Sequence, residues 1–155
     1  MYRWWVFLHI VGVLGFSLSH GVSAFVSFRL RTEHNRGRIE ALLGLSASSI
    51  IAMYVALLLL LAGGVLAGFG GNWWTQRWIW VSLGLLIVVM GLMYALATTY
   101  YRNVREAIKM RPSGAPMVSD EELASILMSP RPFVVAAVGA IGLLAILYLM
   151  IFKPF

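Results

Sequence analysis

Apolar residues fall along the chain in four long blocks, at about 4–28, 45–69, 78–101 and 132–152, and no Asp, Glu, Lys or Arg interrupts any of them. Each block is close to the ~20 residues that cross a hydrocarbon core of ~30 Å. A segment that spans lipid must satisfy its own backbone, so the blocks predict four α-helices rather than strands. Residues 1–155 therefore read as a single all-α integral membrane domain, a four-transmembrane-helix bundle with connecting loops at 29–44 and 102–131. The first block is longer than the apolar core of a signal peptide and opens on Trp4-Trp5 rather than a basic stretch, so it reads as a retained span.

Between the blocks the pattern changes. Gly70-Gly71-Asn72 is a turn by composition, which predicts an antiparallel hairpin of the second and third helices. In the last connector Arg111–Pro116 reads as irregular chain. Ser119 followed by Glu122 forms a capping box that opens a short helix to about Met128. Its Leu123, Ile126 and Leu127 recur at helical spacing, and the expectation is a helix lying on the membrane surface.

Composition agrees with the bilayer. The chain is 61% hydrophobic and only 12% charged, against about 25% charged for an average soluble protein. Of the twelve basic residues, Arg29, Arg31, Arg36, Arg38, Arg102, Arg105, Lys109, Arg111 and Arg131 fall in the two long connectors. Arg3, Arg77 and Lys153 fall on the other side. The positive-inside rule then puts both connectors in the cytoplasm and both termini outside it, in a bacterial inner membrane. The net charge of +6 is a topology signal and not a nucleic-acid footprint. All six Trp fall at the expected outer interface. With no Cys, thiolate metal sites, iron–sulfur clusters and cysteine nucleophiles are excluded.

Small residues mark the helix faces: Gly15, Ser19, Ser23 and Ser27 on the first, Gly64 and Gly68 on the second, Ala136 and Ala140 beside Gly139 and Gly142 on the fourth. Without a hydrophobic force between helices in lipid, such residues let backbones approach. They suit a bundle and equally a homodimer, or docking onto other membrane subunits.

Chemistry is concentrated in two histidines within the first block, His9 and His20. Eleven positions apart on a helix, they differ by about 20° around the axis and lie ~16 Å apart along it. Gly12 sits in the stripe between them and offers room for something broad and flat. Neutral imidazole is a haem and metal ligand, and Met thioethers complete such sites. Met53 with Tyr54, and Met93 with Tyr94, fall near the depth of His20, which makes His20–Met53 and His20–Met93 candidate axes for haem b or copper. Tyr148 falls near the depth of His9 as a hydrogen-bond partner. His34 is a solvated loop residue. The competing reading gives both imidazoles only interhelical hydrogen bonds. No carboxylate lies in a span to serve a proton relay or a hydrolytic triad, and no motif calls for an enzyme.

Leu8-His9-Ile10-Val11-Gly12 resembles the first helix of the CopD-like group of small bacterial membrane proteins, and its early Leu-His resembles the HemJ-type proteins. The layout, with Arg29-Leu30-Arg31 leaving the first helix and Phe152-Lys153-Pro154-Phe155 after the last, is also similar to an uncharacterised four-helix membrane family. The resemblance implies haem or copper near His9. The absence of Lys within a span departs from the HemJ type. The sequence thus leaves two functions open: a cofactor-binding protein for electron transfer or cofactor handling, with His9, His20, Met53 and Met93 as the ligand candidates, or a cofactor-free accessory subunit of a membrane complex.

Overall fold

A computed structural model describes residues 1–155. It contains no strands and five helices: α1 (Tyr2–Leu30), α2 (Arg36–Gly70), α3 (Arg77–Ala107), α4 (Asp120–Leu127) and α5 (Arg131–Phe152). Four of them, α1, α2, α3 and α5, are long and apolar enough to cross a membrane, and the molecule is an all-α integral membrane bundle with four spans. Only 20 of 155 residues are buried, while Leu, Ile, Val and Phe dominate the exposed set. That is the reverse of a water-soluble surface and the expected outline of a lipid-facing one.

At 35 residues α2 runs about 52 Å, well beyond the hydrocarbon core. Residues 36–44, expected in a connector, are helical, so only Arg31–Asn35 joins α1 to α2. Asn35 starts α2 by accepting from the Arg38 amide at 3.1 Å. The Asn35 amide above all, with the His34 amide and the Arg38 and Arg29 charges, outweighs desolvation and holds the Glu33 carboxyl below its usual range.

The hairpin expected between α2 and α3 is corrected by the packing. The two are joined through a tight connection, a single 3₁₀ turn at Trp73–Thr75, but touch little. Instead α2 packs along α1 and α3 packs along α5. The reason is the glycine pattern. A Cβ on Gly12 would collide with the Leu60 backbone, and one on Gly63 with the His9 backbone, so α1 and α2 meet main chain to main chain. Between α3 and α5 the glycines admit side chains instead: Gly139 receives Met93 and Gly142 receives Val89. α2 and α3 have no such matched faces.

The two pairs are joined at their ends. At the arginine-rich end Val26, Leu30, Ile39, Leu43, Tyr100, Val104, Ala107, Leu123 and Leu127 form one buried cluster. The Ser119 cap of α4 forms as expected, accepting from the Glu122 amide at 3.2 Å. Its apolar face, however, is plugged into this cluster and does not lie on the membrane surface. Two arginines fasten the segment from outside. Arg31 donates to the Met128 and Ser129 carbonyls and lies over the Phe133 ring. Arg36 donates to the Ala107 and Val118 carbonyls and pairs with Asp120 at 3.0 Å. At the opposite end Trp73, Trp74, Trp78 and Trp80 pack on one another, with Trp74 filling the space over Gly68.

Candidate functional site

Both intramembrane histidines project from α1, but their surroundings differ in kind. His9 faces α2 at the glycine crossing. Its Nδ1 lies 2.7 Å from the Leu60 carbonyl, and because a carbonyl oxygen only accepts, that nitrogen is the donor. Gly64 makes the ring fit: a Cβ there would stand 2.9 Å from His9 Nδ1. The expected partner Tyr148 does not fill this role. It is 53% exposed on α5 and stacks on Phe152 at 4.8 Å. Gly12 likewise leaves no slot for a flat ligand, because the Leu60 backbone already occupies it. Reading Gly12 as open space considered α1 alone, and the partner backbone fills it.

His20 borders α3 and α5. Its ring stacks nearly parallel to Phe16, centroids 6.2 Å apart and planes at 9°. A Cβ built on Gly139 would lie 3.5 Å from His20 Nε2 and 3.2 Å from Met93 Sδ. An imidazole nitrogen and a thioether from two helices therefore converge on one bare point of a third. Met53 stands half-buried on α2 and does not line the adjoining cavity. Tyr54 and Tyr94 are exposed.

That cavity, about 40 Å³, runs from His20 toward the arginine-rich end between α1, α3 and α5. Ser23, Ser27, Tyr100 and Tyr101 supply its polar wall, and Ala24, Ala97, Pro132, Val135 and Ala136 the small apolar remainder. The wall is cross-braced. Tyr101 OH donates to the Ser23 carbonyl at 2.8 Å, and Ser23 Oγ lies 3.2 Å from Ser46 Oγ and 3.0 Å from Ser49 Oγ. Tyr100 OH donates to the Leu127 carbonyl of α4 at 3.4 Å. The Tyr101 bond ties the α3–α5 pair to α1, while the serine contacts tie α1 to α2 within their own pair.

These dimensions discriminate between guests. A haem pocket needs roughly 300 Å³ or more, and the cavity beside His20 is far smaller at about 40 Å³. Holding haem between His20 and Met93 would require α5 to leave the position where Gly139 now meets both groups, so the arrangement does not fit the macrocycle. A single ion or a water does fit. No three His, Asp or Glu side chains are placed together so that they could hold a metal ion, as a zinc-type site would require. His34 is exposed in the α1–α2 connection, as expected.

Residues 4–154 match the family described as predicted integral membrane protein (DUF2269), and the chain belongs to that family. This agrees with the expected uncharacterised membrane family and gives no support to the CopD-like or HemJ-type resemblance. No curated protein and no solved structure gives a significant match.

Proposed function

We propose that this membrane protein handles a soft metal ion, copper(I), at a mid-membrane centre made by His20 and Met93. The carrying observation is the approach of His20 Nε2 and Met93 Sδ to the same point over Gly139. Imidazole and thioether together favour copper(I) over harder cations. Copper would supply one-electron chemistry or be itself the cargo. What the chain contributes is a thioether beside an imidazole and a small polar cavity leading toward the arginine-rich end. His9, bonded to Leu60, acts as a packing residue in this reading. By the distribution of basic residues the arginine-rich end faces the cytoplasm of a bacterial inner membrane. Reporter fusions in the Arg31–Asn35 connection test that orientation.

Metal analysis of the purified protein loaded with copper(I) tests the reading. One copper per chain is expected in the wild type and a loss of roughly tenfold or more in affinity in Met93→Leu, a nearly volume-conserving change. Equal binding by both proteins contradicts it. A Soret band that survives purification and disappears in His20→Ala would instead favour haem b, with a bundle more open than the one described.

The accessory-subunit reading has one observation in its favour. Gly84 and Gly91 of α3 face open space, as glycines awaiting a partner helix would. Co-purification of other membrane subunits with a copper-free protein would support it.

A further inference from the structure

A second site stands at the tryptophan-rich end, far from His20 along the bundle. After α5 the backbone turns sharply at Lys153, which takes the left-handed conformation with φ 44° and ψ 58°. That conformation is unfavourable for a side chain other than glycine, so something must hold it. The turn carries the Lys153 ammonium to 3.8 Å from the Trp73 ring centroid and 5.7 Å from that of Trp78. The two indoles meet at 61° with centroids 6.1 Å apart, forming two walls of a corner around the cation.

The corner is built rather than accidental. Trp78 is only 7% exposed and is fixed on α3. Trp73 is pressed against Gly71, where an added Cβ would overlap the indole unless the ring moved, and its indole N–H donates to Tyr2 OH at 3.3 Å. Trp80 braces the same turn by donating to the Trp74 carbonyl at 3.0 Å. Lys153, by contrast, is exposed and has no carboxylate partner. A preformed aromatic corner is thus filled by the ammonium of an exposed lysine at the level where headgroups lie.

We infer that the Trp73–Trp78 corner is an alkylammonium-binding site that Lys153 occupies in the absence of a ligand. Its ligand class is a primary or quaternary ammonium, supplied by a zwitterionic lipid headgroup or by a free choline-like cation. Lys153 competes with that ligand, so the site is self-inhibited. Aromatic faces suit a cation and reject an anionic headgroup, whose charge the ring quadrupoles repel.

Native mass spectrometry of the full chain, with phosphatidylcholine, phosphatidylethanolamine or phosphatidylglycerol added, tests the inference. Lys153→Ala should retain the two zwitterionic lipids about fivefold more strongly than wild type, and phosphatidylglycerol no more strongly. Trp73→Ala added to Lys153→Ala should remove the gain, and Trp73→Phe, which keeps an aromatic face, should restore part of it. Tetramethylammonium added as a competitor identifies the source. Displacement of the lipid at comparable concentration marks a site for free cations, and retention of the lipid marks a headgroup site. Equal retention of phosphatidylglycerol by Lys153→Ala, weaker zwitterionic binding than wild type, or indifference to Trp73→Ala would each overturn it.

Discussion

His9 and His20 sit on one helix, but one imidazole is enclosed by main chain and the other by side chains. Around His9 the contacts are rigid: the Leu60 carbonyl accepts its hydrogen bond, Gly64 admits its ring, and Gly12 and Gly63 bring two backbones together. Around His20 the neighbours are the flexible end of Met93, the Phe16 ring and a cavity of about 40 Å³. An interior made of main chain has one arrangement, whereas an interior made of thioether, imidazole and a small void can admit a guest. The difference is the ground for proposing His9 as a packing histidine and His20 as the functional one.

The comparison can be broken most severely at the glycine crossing. Gly12→Val drives a branched side chain into the Leu60 backbone and forces α1 from α2. A loss of about 3 kcal/mol is expected in an unfolding titration in mixed micelles. If Gly12→Val is neutral, the closeness of the first pair is wrong. Next comes His9→Ala, which removes the bond to Leu60 and should cost about 1 kcal/mol in the same titration. Copper loading should be unchanged. Tyr101→Phe deletes the donor to the Ser23 carbonyl, the brace nearest the His20 cavity, and should cost about 0.6 kcal/mol.

The smallest change in stability should come from Gly139→Ala. A methyl group there would stand 2.9 Å from Met93 Cε and 3.5 Å from His20 Nε2. The first is the mobile end of a side chain that can move aside, so the cost should stay below about 0.5 kcal/mol. Copper affinity should nevertheless fall, because the thioether and imidazole can no longer share that point. A large stability loss with intact copper binding would reverse the assignment of the two regions.

Much of the fold was legible in the sequence because lipid imposes strong rules. The four uncharged blocks gave four spanning helices, and the Ser119–Glu122 spacing gave the start of α4. Which helices pair was not legible. The short Gly70–Asn72 turn suggested α2 with α3, since sequence adjacency is visible and the fit of Gly12 against Leu60 is not. The same blind spot turned Gly12 into a slot and gave His9 to Tyr148. The doubled glycine at Gly63-Gly64 was the available signal for the true crossing. α4 looked surface-bound because an amphipathic stripe does not say whether it faces lipid or the buried ends of α1, α2 and α3. Of the two thioethers at matching depth, Met93 approaches His20 because the imidazole turns toward Gly139, a rotation that depth counting ignores.

The central claim, that His20 rather than His9 is the working imidazole, is tested most directly by a competitive copper(I) titration. His9→Ala and His20→Ala are measured side by side, each verified as folded by circular dichroism and size-exclusion chromatography. His9→Ala is predicted to bind copper as wild type does while unfolding more readily, and His20→Ala to lose roughly tenfold or more in affinity. Loss of binding in His9→Ala with wild-type affinity in His20→Ala would contradict it.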